Sequence, residues 1–160
     1  MSLDLYLSES TILLGLEAET SSDVINLLGK TLLTAGSVKD SYIEAAITRE
    51  KSLPTGLPLG GEINVAIPHT DIVHVNKSAV AMATLAKPVI FQNMVEPQES
   101  VIVSIVFLLA LDEPHAQIEM LQEVANVVQN DELLEFLMTA KSPKEVLAAF
   151  GKPDNESKLS

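Results

Sequence analysis

Apolar residues recur along the chain at two periods, and the switches between them mark out the elements. Thr11-Ile12-Leu13-Leu14-Gly15-Leu16 is an apolar run of strand length, and the acid- and hydroxyl-rich stretch from Glu17 to Asp23 suits a helix start capped by Ser21 or Ser22. Val24, Leu27, Leu28, Leu32 and Leu33 then share a helical face until Gly36, where a left-handed residue ends the helix. Ser41 and Glu44 have the spacing of a capping box, and Ile43, Ala46 and Ile47 form a second stripe that must stop before Pro54, leaving Arg49 in its last turn. Beyond the turn sequences Pro54-Thr55-Gly56 and Pro58-Leu59-Gly60-Gly61 the period drops to two, at Ile63, Val65 and Ile67. Strands are predicted over 63–67, 78–85 and 100–111, the last so uniformly apolar that both its faces must be covered. Pro114 after Asp112-Glu113 opens a long helix with Ile118, Leu121, Val124, Ala125 and Val128 inward; shorter helices follow over 131–140 and 143–150.

Helices before and after a strand-rich middle predict an α/β fold: a single three-layer α/β/α domain over 1–150 with a mixed, parallel and antiparallel sheet, and a polar tail over 151–160. The ten residues between 67 and 78 are too few for a crossover helix, so the chain reverses there. A second reversal is expected between 85 and 100, where Pro88 and Pro97 fall. Strands 63–67 and 100–111 then run parallel. His69 and His115, each just past the end of one of them, emerge on the same sheet edge, the carboxyl edge that α/β ligand sites favour.

Composition removes several function classes. With 47% apolar and 20% charged residues in 160, the chain builds a core without staples. A net charge of −12 argues against nucleic acid and would steer a basic protein toward the surface. The longest apolar run, Ile105 to Leu111, or Val101 to Leu111 if Ser104 is tolerated, falls short of the roughly 20 residues needed to cross a membrane. Absence of cysteine excludes disulfides, thiolate zinc sites and thiol nucleophiles, and the opening Met1 to Tyr6 has no secretory pattern, so a cytoplasmic setting is expected.

Chemistry then rests on His69, His74 and His115. His115 lies three and six residues before Ile118 and Leu121, which predicts an inward ring in a first helical turn whose N–H groups suit an anion. His69 follows Pro68 at a loop start, where a rigid strand presents it. His74 has no partner in the pattern and is taken as a bystander. A neutral imidazole can accept a phosphoryl group, hold it as a phosphoramidate and pass it on, given an N–H-rich or cationic pocket. No G-x-x-x-x-G-K-[ST] loop is present, so ATP is not the expected source of the phosphoryl group. A metal site drawing on His69, Asp71 and His74 is the weaker alternative, because no recognised ligand spacing occurs.

Arg49-Glu50-Lys51-Ser52-Leu53-Pro54-Thr55-Gly56, Val65-Ala66-Ile67-Pro68-His69-Thr70 and the Pro114-His115 helix start with Leu121 downstream resemble the enzyme IIA domain of the fructose/mannitol class (type 2) of the bacterial sugar phosphotransferase system. The turn and spacing are most similar to its galactitol-type branch, and the resemblance spans residues 9 to 150. It implies that His69 is phosphorylated by HPr and donates to a sugar-specific enzyme IIB, that His115 is the second active-site histidine, that Arg49 lies near the phosphoryl group, and that no cofactor is needed. Thr55 and Gly56 are candidates to orient an N–H or hydroxyl toward the phosphate, and Ile67, Ile72 and Val73 to form a shallow docking face with an acidic rim. Thr70 and Asp71 stand where a small residue often follows the family histidine, and a carboxylate there repels a phosphohistidine unless it points away. Two alternatives accompany this reading: a regulatory module of the same fold controlling a kinase or transcription factor, and a metal-dependent hydrolase.

Overall fold

A computed structural model describes residues 3–151. Its elements are β1 (Ile12–Leu16), α1 (Ser21–Thr34), α2 (Tyr42–Ser52), β2 (Gly56–Leu57), β3 (Val65–Ala66), β4 (Ala79–Gln92), β5 (Ser100–Ala110), α3 (Pro114–Val127), α4 (Asp131–Thr139) and α5 (Pro143–Gly151), with short 3-10 turns at Leu3–Leu5, Glu9–Thr11 and Ile72–His74. One five-stranded sheet runs in the order β1-β4-β5-β3-β2. β4 and β5 are antiparallel, whereas β1 with β4 and β3 with β5 are parallel, so the sheet is mixed as expected.

Alternation along the two long strands makes the three layers. Ala81 and Ala83 of β4 with Val106, Leu108 and Ala110 of β5 face α1 and α2, against Val24, Ile25, Leu28, Leu32, Tyr42 and Ala46. Val80 and Met82 with Ile105, Phe107 and Leu109 face the other way, onto Met120, Val124, Leu134, Leu137 and Val146 of the last three helices. Every residue from Val103 to Leu111 is buried, the continuous apolar run expected of a strand covered on both sides. Phe150 closes that layer edge-on to Phe107, ring centroids 6.0 Å apart at 78°.

Local chemistry sets most boundaries. Thr20, rather than Ser21 or Ser22, caps α1: its hydroxyl accepts from Asp23 N–H while the Asp23 carboxylate reaches back, and Gly36 at φ +79° ends the turn after it. The capping box expected at Ser41 does not form. Ser41 has helical dihedrals instead of the extended ones a cap needs, and its hydroxyl pairs with His74 Nδ1 at 2.8 Å.

Three strand predictions change. The 63–67 run keeps only Val65–Ala66 as strand, and the Pro-Thr-Gly turn supplies β2, two residues antiparallel to β3. Pro88 lies within β4 and not in a connection: the β4–β5 register shifts between Thr84 and Val89, and at this irregularity a proline's missing N–H breaks no ladder bond. On α3 the buried stripe is Met120 and Val124, with Val128 beyond it, while Ile118 is exposed. Gly151, expected in the tail, ends α5; positions 152–160 of the expected tail lie outside the described residues. Among the described residues no helix is long and apolar enough to cross a membrane.

One residue of β5 joins the two halves. Leu109 N–H donates to Pro68 O (3.0 Å), and Leu109 O accepts from the fully buried Tyr42 hydroxyl of α2 (2.6 Å). The helix bearing Arg49 and the segment bearing His69 are thus referred to one residue of β5. Tyr42→Phe should lower stability by about 1–2 kcal/mol, because a buried carbonyl loses its donor while the ring stays packed. Urea unfolding checks this, with an unchanged midpoint as the adverse result.

Candidate functional site

The parallel pairing of β3 with β5 brings His69 to the end of β5, where it bridges Leu109. Its ring is not displayed on the surface as a loop histidine would be: the residue is only 7% exposed. Nδ1 lies 3.0 Å from Ile67 O. A carbonyl can only accept, so Nδ1 carries the proton and Nε2 keeps its lone pair. Burial, and secondarily the Arg49 charge, hold the imidazole below its ordinary pKa; the Nδ1–H bond to Ile67 and the Asp71 carboxylate pull the other way. The net result is a neutral imidazole at pH 7.

Behind that bond runs a chain of polar contacts that begins at Glu50. Its carboxylate accepts from Thr55 N–H (2.8 Å) and from Thr55 O–H (2.9 Å). Thr55 Oγ1 in turn accepts from Ile67 N–H at 3.2 Å, and the Ile67 carbonyl accepts from His69. The expectation that Thr55 serves the phosphate is therefore corrected: its N–H and O–H are both given to Glu50, and its work is to hold Ile67. Gly56 is needed for closeness, since a Cβ there would stand 2.6 Å from Gln92 O. Sequence reasoning missed Glu50. The signal was available, because Tyr42, Ala46 and Glu50 lie four residues apart on the inward stripe of α2, and an acid on a buried stripe requires partners.

Arg49, the chain's only arginine, projects from the last turn of α2 toward the same edge. Its guanidinium stands 4.0 Å from Asp71 Oδ1, and its Nε is buried with no hydrogen-bond partner. His115 differs from expectation. It sits at the same edge, in the first turn of α3, but its side chain is 76% exposed, with Nε2 3.2 Å from Glu119 Oε2. Five residues from Met120, it is turned about 140° away from the buried stripe at 100° per residue. The helix N–H groups expected to receive an anion are also taken: Glu113 accepts from His115 N–H (2.8 Å) and Ala116 N–H (3.1 Å).

Of the expected docking residues, Ile67 is core at 3% exposure, Ile72 is half-buried and Val73 is exposed. Leu53, past the end of α2, and Ile118, near the start of α3, are exposed as well. His74 is tied to α2 through Ser41 and, with His69 turned to Ile67 and Asp71 facing Arg49, does not converge with them on a common point. No three His, Asp or Glu side chains among the described residues are grouped to hold a metal ion.

Burial pushes the Glu50 carboxyl up to about 7, against the hydrogen bonds from Thr55 and the Arg49 charge. The folded chain therefore keeps a proton that the unfolded chain releases from about pH 4.5, and this contribution is full at low pH and lost as pH rises through 7. His69, with its pKa lowered, contributes in the opposite sense, stabilising above its ordinary value and less as pH falls. Glu50→Gln should remove the first component only. Between pH 5 and 8 the stability difference should move in the variant's favour by about 1–3 kcal/mol, read from urea midpoints; a pH-independent difference would contradict the assignment.

Comparison with known proteins identifies the family and the fold. Residues 5–152 match the family model described as phosphoenolpyruvate-dependent sugar phosphotransferase system, EIIA 2. The galactitol-specific EIIA component of Escherichia coli (strain K12) is 30% identical over 125 residues, covering 78% of this chain and 82% of the relative. A putative PTS IIA domain from Streptococcus pyogenes M1 GAS superposes with a TM-score of 0.75 at 31% identity, over 100% of this chain and 99% of its own. The structure of the complex of enzyme IIAMTL and phosphorylated enzyme IIBMTL from Escherichia coli shares the fold, with a TM-score of 0.71 at 23% identity over 91% and 97% of the chains. The chain belongs to the EIIA type 2 family of the phosphoenolpyruvate-dependent sugar phosphotransferase system.

Proposed function

We propose that the chain is the phosphocarrier that accepts a phosphoryl group from HPr on His69 Nε2 and delivers it to a sugar-specific enzyme IIB, working in the cytoplasm. The observation that carries this reading is the Nδ1–H bond of His69 to Ile67 O, which leaves Nε2 with its lone pair on a neutral ring that feels the Arg49 charge. In the transfer, the bond from phosphorus to the donor breaks as the bond from phosphorus to Nε2 forms. The donor's leaving group keeps the electron pair, and the imidazole of His69, now bearing phosphorus on Nε2, keeps its Nδ1 proton in the bond to Ile67 O. Donation to IIB reverses these steps.

Arg49 supplies the planar fork that fits phosphoryl oxygens, and His115, from across the edge, supplies an N–H to the same group. Val73, Leu53, Ile118 and the half-buried Ile72 form the apolar part of the docking face, with Asp71, Asp112, Glu113 and Glu119 as its acidic rim. Likeness to the galactitol-specific relative supports the galactitol-type branch, and an enzyme IIB partner is supported by the complex of the mannitol proteins.

Incubation with phosphorylated HPr should add the mass of one phosphoryl group, acid-labile and absent in His69→Ala; full labelling of that variant would refute the assignment. Arg49→Lys should still be labelled, at a rate lower by about tenfold or more, because a point charge cannot copy the fork. An unchanged rate in rapid-quench measurements would remove Arg49 from the transfer.

A further inference from the structure

Asp71 stands two residues beyond the acceptor histidine, in extended backbone ahead of the Ile72–His74 turn. Position and dihedrals suit it to cap that turn, yet its carboxylate makes no cap hydrogen bond. It faces Arg49 instead, at 4.0 Å, the outer limit of an ion pair, with the Asp71 side chain 75% exposed and that of Arg49 34% exposed. Arg49 is thus held at one terminal nitrogen by a weak, solvated contact, while its buried Nε has no acceptor. An incomplete set of partners on the chain's only arginine is the arrangement of a cation shared between two anions, one present and one still to arrive.

We infer that Asp71 is a positioning residue that shares Arg49 with the phosphoryl group on His69, holding the guanidinium when the histidine is bare and competing for it when the histidine is loaded. This deepens the reading given under Proposed function and rests on it. A phosphoryl group at Nε2 brings about two negative charges next to a carboxylate that was already using the local cation. The phosphohistidine is destabilised relative to one with an undivided arginine. For a carrier this is useful, because a group bound too well is not passed on. It also gives Asp71 a place in the site, where a carboxylate next to an anion otherwise only repels.

The test is the equilibrium of phosphoryl transfer between HPr and the full chain, measured from both directions for wild type, Asp71→Asn and Asp71→Glu. Asp71→Asn should shift the balance toward the phosphorylated chain by about threefold or more, as expected for losing one exposed charge–charge contact. Asp71→Glu, which keeps the charge, should stay near wild type. An Asn variant at the wild-type equilibrium, a shift toward phosphorylated HPr, or a Glu variant behaving like Asn would each overturn the inference. Wild-type chain that accepts no phosphoryl group would instead overturn the parent reading, and this inference with it.

Discussion

The bond from His69 Nδ1–H to the Ile67 carbonyl is the constraint on which the site depends. It settles in one contact which nitrogen bears the proton, which way the ring faces and which lone pair is left for chemistry. A hydrogen bond of this kind acts only as well as its acceptor is fixed, and Ile67 is fixed from three directions. Its side chain is core, its N–H is held by Thr55, and the next residue's carbonyl accepts from Leu109. The sheet edge therefore serves as the rigid support that positions the His69 ring, and Asp71 lies on the loop beyond it.

Glu50 is the unusual member of this support. A carboxyl on a buried helix stripe is costly, and two donors from Thr55 compensate it in part. Placed there, it lets α2 govern the strand end without touching His69, while Arg49, the residue before it in sequence, points to the edge and Asp71. Consecutive residues on a helix diverge by about 100°, so this pair divides two tasks between interior and edge. Tyr42 completes the arrangement two turns earlier by binding Leu109, so one helix sets both the support and the cation.

Much of the fold was legible because it follows from chain length between apolar runs. The short connections force two reversals, which make β3 and β5 parallel and put His69 and His115 on one edge. What escaped the reading had no periodic signature. A two-residue β2 cannot be distinguished from a turn, and a proline at a register shift reads as a break until the partner strand is seen. On α3 the pattern offered two overlapping stripes, and the one containing His115 lost because Met120 and Val124 complete the core. At the site, residue types were legible and their connections were not: Thr55 was readable as a polar residue in a turn, but its use as a link between Glu50 and Ile67 depends on a tertiary contact across twelve positions.

The account predicts a neutral acceptor in one defined tautomer, reached from the surface through Nε2 and not through the hydrogen-bonded nitrogen. Nitrogen-15 correlation spectra of the imidazole rings in the unphosphorylated chain at neutral pH report this directly. The account predicts that His69 shows a protonated Nδ1 and an unprotonated Nε2. A proton found on Nε2, or a doubly protonated ring at pH 7, would contradict it.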